Sequence, residues 1–172
     1  MGPIVSILMG SDSDLEVMQE AAKVLDSFQL PYDMKVLSAH RTPELVSEYV
    51  KKAPQDGTKI FIAGAGGAAH LAGTVAAHTT LPVIGVPIQT QLSGGLDSLL
   101  STVQMPSGIP VATVAVGKSG ATNAGILAVQ ILALNDSLLA SKLKAHKESL
   151  VKSVQDQNEK LKDQLRKSSD QR

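Results

Sequence analysis

Short apolar, β-branched runs at residues 4–9, 34–37, 59–63, 83–86 and 111–116 alternate with stretches of helical periodicity, and this alternation constrains the fold most. Several of the runs lack the in-out polarity of a half-solvated antiparallel strand, which marks strands covered on both faces. Covered strands separated by helices build a parallel sheet through crossover connections.

The helical stretches carry their own start signals. After the first run, Gly10-Ser11-Asp12-Ser13-Asp14 leads into a helix in which Ser13 and Glu16 have capping-box spacing and Leu15, Met18, Ala22 and Leu25 form an inward stripe. After the second, Thr42 is placed as N-cap with Pro43 at the first helical position, and Leu45, Val46, Tyr49 and Val50 point inward. Small residues at 71–77 and an apolar pattern at 96–103 supply two more helices, and a helix through Ile126, Leu127, Ile131 and Leu134 finishes the domain. The pattern predicts an α/β fold: a flavodoxin-like, three-layer, doubly wound parallel sheet of about five strands, with a long C-terminal helix. The division is an α/β domain over 1–141 and a C-terminal helix over 142–172, opened near Asn135 and Ser137. Its sparse stripe of Leu143, Leu150, Val154, Leu161 and Leu165 suits packing on a neighbouring subunit, with fraying from Ser168 to Arg172.

Bulk properties exclude several classes. At 172 residues, 43% hydrophobic and 19% charged, the chain is too apolar for disorder, yet it holds no run long enough to cross a bilayer. The first residues lack a basic n-region, and cysteine is absent, which fits a cytoplasmic protein without disulfides or thiolate metal sites. Net charge is zero but uneven: residues 1–141 carry 7 basic and 11 acidic side chains, and 142–172 carry 9 and 5. In that basic end the lysines alternate with acids and no aromatic is interleaved for base stacking, so nucleic acid is not the expected partner.

In an open parallel sheet, ligands sit beyond the carboxyl ends of the strands, so the loops after the first three strands belong together. Gly10, Ser11, Ser13 and Asp14 offer hydroxyls and amides at a helix start, suited to a phosphate, and a carboxylate suited to sugar hydroxyls. An ordinary N-cap with Asx-type turns would have the same composition. Ser38, Ala39, His40 and Arg41 put an imidazole and a guanidinium at a strand end. A histidine there can exchange protons near neutral pH and an arginine can grip a phosphate, although lone histidines are commonly plain surface residues. The third loop, Gly64-Ala65-Gly66-Gly67-Ala68-Ala69-His70, matches G-x-G-x-x-A literally but follows the third strand and has no answering acid. Its small residues allow a flat ligand to approach the backbone closely, or a helix to pack closely on the strand. No P-loop, zinc-spaced histidine pair or receiver-type acceptor aspartate occurs; Ala63-Gly64 stands where that aspartate would be.

Taken in order, Gly10-Ser11-x-Ser13-Asp14, Ser38-Ala39-His40-Arg41-Thr42-Pro43 and Ala63-Gly64-Ala65-Gly66-Gly67-Ala68-Ala69-His70-Leu71 resemble the N5-carboxyaminoimidazole ribonucleotide mutase family, also called the phosphoribosylaminoimidazole carboxylase catalytic subunit family. The likeness continues through Pro82-Val83-Ile84-Gly85-Val86-Pro87, Leu96-Asp97-Ser98-Leu99-Leu100-Ser101 and Gln104-Met105-Pro106-x-Gly108-x-Pro110-Val111. Ser107 stands where the pattern admits a basic side chain, and the C-terminal rod is longer and more charged than catalysis requires.

The resemblance implies an isomerase of de novo purine biosynthesis that moves the carboxyl group of N5-carboxyaminoimidazole ribonucleotide to the ring carbon. It implies a homo-octamer needing no metal or organic cofactor, and functional coupling to the ATP-dependent enzyme that makes the carbamate. Ser11, Ser13, Asp14 and Arg41 would hold the ribose phosphate. Gly10, Ser38 and Ala39, with Gly66, Gly67, Ala68, His70 and Leu71, would complete the substrate site, with His70 near the carboxylate. His40 would carry the proton. His78 and His146 match no motif. Two rival readings use the same scaffold: direct carboxylation of aminoimidazole ribonucleotide by carbon dioxide, and a non-catalytic nucleotide-binding module. The Ala68-Ala69-His70-Leu71 stretch favours the mutase.

Overall fold

The computed structural model describes residues 2–169. Two compact units divide it, one through Ile131 and one from Leu132. In the first, β1 (Val5–Met9), β2 (Tyr32–Val36), β3 (Ile60–Ala65), β4 (Val83–Pro87) and β5 (Ala112–Thr113) form one parallel sheet in the order β2-β1-β3-β4-β5. That is the flavodoxin-like order, in which the winding reverses between β1 and β3. The crossovers are α1 (Leu15–Ser27), α2 (Pro43–Lys52), α3 (Leu71–Ala77) and α4 (Leu96–Val103), and α5 (Lys118–Ala133) follows β5. Every residue of β1 and β4 is buried, which explains their continuous apolar runs.

The two faces are set by strand register. Leu8 pairs with Ala63, and both join Phe61, Val46, Val50, Leu71, Ala72 and Val75 in one buried cluster beneath α2 and α3. Gly85 pairs with Ala63 on that face, and a Cβ there would press on Thr102 of α4. On the other face, a Cβ at Gly64 would overlap the Met18 sulfur of α1. In α5, Gly125 leaves the same kind of room for Ala21 and Val24 of α1. Hence α5 buries small residues, Gly120, Ala121, Ala124, Gly125 and Ala128 with Val129, while Ile126 and Leu127 are only half-buried.

Several expectations are corrected. The capping box is formed by Ser11 and Asp14 around a single 3₁₀ turn (Asp12–Asp14), not by Ser13 and Glu16; Glu16 instead accepts a hydrogen bond from Lys118 Nζ at 2.5 Å. Leu15 and Leu45 are about half exposed, since each lies at the edge of its helix stripe in the first turn. Thr42 is the N-cap residue but makes no side-chain cap; its hydroxyl bonds Ser38 instead. Tyr49 is half-buried, and its hydroxyl donates to Asp33 Oδ2 at 2.6 Å and meets Ser6 Oγ at 2.8 Å, tying α2 to β1 and β2. Burial, then that bond to Asp33, holds the phenol pKa well above its usual value. The expected six-residue fifth strand pairs only over Ala112–Thr113, at the sheet edge.

In the second unit, α6 (Ser137–Ser169) is capped by Asp136, whose Oδ1 accepts from the amides of Leu138 and Leu139 at 2.9 and 3.0 Å. Leu134, expected within the helix that finishes the domain, lies past the end of α5 and is exposed. Of the segment expected to fray, Ser168 and Ser169 are helical and residues 170–172 lie outside the described residues. Among the described residues no helix is long and apolar enough to cross a membrane.

Met18 is fully buried and cannot swing away from Gly64. Gly64→Ala should therefore destabilise the chain by about 1–3 kcal/mol through overpacking. In a double-mutant cycle read by denaturant unfolding, the cost should shrink in a Met18→Ala background.

Candidate active site

The site begins where β1 and β3 end. The Gly10 amide donates to the Gly64 carbonyl at 3.1 Å, and the chain then enters the Asp12–Asp14 turn. Ser11 Oγ accepts from the Ser13 amide at 3.4 Å, and Asp14 Oδ2 accepts from the Ser11 amide at 3.2 Å. Asp14 is buried. Burial raises its carboxyl pKa above the usual value, opposed by hydrogen bonds from Ser11, Ser13 and Gly10.

β2 delivers the second segment. The Leu37 amide donates to the Met9 carbonyl at 2.8 Å, and the next residues close a tight turn: the Ser38 amide donates to Thr42 Oγ1, the Thr42 amide to the Ser38 carbonyl, and the Arg41 amide to Ser38 Oγ, all at 3.0–3.1 Å. The turn leaves His40 and Arg41 exposed at its tip. Arg41 Nη2 reaches back 2.8 Å to the Gly10 carbonyl. That acceptor is neutral, so the guanidinium keeps its charge for an anion.

The third segment leaves β3. The Ala69 amide bonds the Gly67 carbonyl and the His70 amide bonds the Ala68 carbonyl, each at 2.8 Å, which coils the loop tightly before α3. Gly67 takes φ 67°, a left-handed conformation that glycine adopts without penalty. The coil brings His70 Nδ1 to 2.7 Å from His40 Nε2, with the rings edge-on, 4.9 Å between centroids and 80° between planes. A single proton bridges the two nitrogens, carried by one ring and accepted by the other.

Residues 4–153 match the family model described as AIR carboxylase. The chain belongs to the AIR carboxylase family. It is 54% identical over 161 residues to the N5-carboxyaminoimidazole ribonucleotide mutase of Bacillus subtilis (strain 168), covering 94% of this chain and 99% of that protein. It is 58% identical over 148 residues to the protein of the same name from Pyrococcus abyssi (strain GE5 / Orsay), covering 86% and 84%. Among solved structures, that of Treponema denticola PurE superposes with a TM-score of 0.84 at 33% identity, covering 92% of this chain and 98% of that one.

One cavity of about 500 Å³ is bordered by Gly10, Ser11, Ser13, Asp14, Ser38, Ala39, His40, Arg41, Gly66, Ala68, His70 and Leu71. That volume is ordinary for a small-molecule site. Gly67 stands apart: its amide points to Ser98 Oγ at 2.9 Å and it does not line the cavity. The cavity wall also contains Ala65, Ile88, Gln89 and Thr90, which sequence reasoning missed. The signal was available, because β4 neighbours β3 and its following loop must emerge at the same end of the sheet.

The raised pKa of Asp14 has a testable consequence. The fold holds the Asp14 proton more tightly than the unfolded chain does, so this group's contribution to stability is present at low pH and is lost as pH rises from the usual carboxylate value through the raised one. Asp14→Asn keeps an acceptor for the Ser11 amide but cannot ionise. The Tm difference between variant and wild type should be more positive at about pH 8 than at about pH 4, measured by thermal unfolding across that range.

Proposed function

We propose that this chain is an isomerase of purine biosynthesis that converts N5-carboxyaminoimidazole ribonucleotide into its 4-carboxy isomer. The observation that carries the reading is the imidazole pair at 2.7 Å on one wall of a cavity that also gathers three serines, an aspartate, an arginine and the small residues of the glycine-alanine loop. The names of the relatives at 54% and 58% identity support the choice of substrate. In this reading Ser11, Ser13, Asp14 and Arg41 hold the ribose phosphate, Ser38, Gly66, Ala68 and Leu71 surround the ring, Gly10 and Ala39 complete the substrate site, and His70 lies near the carboxylate.

The chemistry needs one proton moved twice. The carbamate C–N bond breaks with its electrons going to nitrogen, which takes a proton from His40 as carbon dioxide forms. Ring carbon 4 then attacks the trapped carbon dioxide, pushed by the exocyclic amine, and the new C–C bond leaves that carbon carrying both hydrogen and carboxylate. His40 takes this proton back and aromaticity returns. Protons balance over the cycle, so no ATP, metal or organic cofactor is required. Small side chains let the ring lie close to the backbone and exclude water from the carbon dioxide.

Purified protein should interconvert the two carboxylated nucleotides without ATP, with a chelator present and without added bicarbonate. A requirement for bicarbonate with aminoimidazole ribonucleotide would favour direct carboxylation, and ligand binding without turnover would favour a binding module. His40→Asn should lower kcat by about 10²–10⁴-fold with binding largely kept, whereas Arg41→Ala should lose affinity first. Turnover of His40→Asn within about tenfold of wild type would remove His40 from proton transfer, since tenfold is only about 1.4 kcal/mol in the barrier.

We further propose a cytoplasmic homo-octamer, functionally coupled to the ATP-dependent enzyme that makes the carbamate, in which the catalytic part over 1–141 is followed by a helix docked on a neighbouring subunit. The exposed Leu150, Val154, Leu161 and Leu165 on α6 support the docking. Each fully buried leucine would contribute about 1.5–3 kcal/mol. Removing residues 142–172 should reduce the mass seen by light scattering and lower Tm; unchanged values would refute the docking.

A further inference from the structure

The stretch Leu96-Asp97-Ser98-Leu99-Leu100-Ser101 forms the first two turns of α4, and none of its residues lines the cavity. Its polar side chains nevertheless all turn toward the loops that do. Ser98 is fully buried and its Oγ accepts the Gly67 amide at 2.9 Å. Ser101 Oγ has one proton to give and shares it between the Asp97 carbonyl of its own helix at 2.7 Å and the Gly67 carbonyl at 3.2 Å. Asp97 Oδ1 accepts from Thr90 Oγ1 at 2.6 Å, which ties the loop after β4 to the same helix end.

The loop held in this way has little else to fix it. Between β3 and His70 it consists of glycine and alanine, of which only Ala69 is buried. Such a segment has few side-chain contacts and a large conformational freedom to lose, so hydrogen bonds must define its path. Gly67 is gripped at both its amide and its carbonyl, and the same carbonyl receives the Ala69 amide that starts the coil toward His70. His70 in turn meets His40 at 2.7 Å, a distance that tolerates little displacement.

We propose that Ser98 and Ser101 are positioning residues of the reaction: without touching substrate, they clasp Gly67 and so hold His70 against His40. The proposal rests on His40 being the proton carrier. It assigns the buried serine a role distinct from binding, because the anchoring groups Ser11, Ser13, Asp14 and Arg41 lie on other loops. It also accounts for Gly67, whose amide the clasp consumes.

The test uses the full chain carrying Ser98→Ala, Ser101→Ala or Ser101→Thr. The two alanine variants should lose about 10–100-fold in kcat while KM stays within about threefold, because a small displacement of a reacting group costs that much in rate without loosening remote anchors. Ser101→Thr restores a hydroxyl at the same Cβ and should recover most of kcat. In ¹⁵N-labelled protein without substrate, the ring-nitrogen resonances of His40 and His70 should move in the alanine variants and return in the threonine variant. If Ser98→Ala does not fold, Ser101→Ala decides, since Ser101 is only half-buried and the Gly67 carbonyl keeps the Ala69 amide. Folded alanine variants with kcat within about threefold of wild type, a rise in KM alone, or unmoved histidine resonances would each overturn the clasp. A wild-type protein that turns over neither nucleotide would defeat the proposed function, and the histidine resonances would still decide the clasp.

Discussion

The parallel ladder between β1 and β3 ends on the Gly10 amide and the Gly64 carbonyl, and the site hangs from that last rung. Beyond it the backbones of the two strands diverge, one into the Ser11–Asp14 turn and the other into the glycine-alanine loop. The Leu37 amide adds the third strand end through the Met9 carbonyl, so three loops leave the sheet from adjacent strand ends. The divergence is a consequence of winding: helices on opposite faces follow β1 and β3, α1 on one and α3 on the other, and this opens the crevice. Gly64 makes the rung compatible with the helix behind it, since Met18 occupies the space a side chain would need.

Electrostatics in the cavity are arranged so that charges are held by backbone groups. Asp14 accepts the Ser11 amide, and Arg41 donates to the Gly10 carbonyl. Each contact orients its charged group without neutralising it, as a direct carboxylate–guanidinium pair would. Burying Asp14 costs stability when it is ionised, visible as its raised pKa, and the cost is borne where a polar ligand can be recognised. The imidazole pair adds a third arrangement, in which two rings share one hydrogen bond through one nitrogen each and present the remaining ring nitrogens for other partners.

Rigidity around the cavity comes from behind it. Ser98 and Ser101 on one helix reach the loop after β3, and Asp97 reaches the loop after β4. Small residues leave room for a ligand but supply little packing of their own, so the loop's order is imported from α4. The same division of labour appears at Tyr49, where a hydroxyl network with Ser6 and Asp33 ties a helix to two strands on the face opposite α1.

Sequence alone determined the elements that are buried on both sides. β1, β3 and β4 read as continuous apolar runs because both of their faces are covered, and α3 and α4 begin and end where their periodicity does. The residues later found around the cavity also stood out, because imidazole, guanidinium and clustered serines at strand ends have no packing reason to be there. The edge strands were less legible: β2 is half-exposed, so apolar periodicity placed it at 34–37 where pairing runs Tyr32–Val36, and β5 has a partner on one side only and shrinks to two residues. Capping shifted by two residues because Ser11 and Ser13 have equivalent spacing to an acid, and only the path of the chain off β1 selects between them. The hydrogen bond between His40 and His70, the exclusion of Gly67 from the cavity and the grip of α4 on the loops are decided by tertiary structure. Each joins residues about thirty positions apart across separate elements, a relation that local propensity and periodicity do not encode.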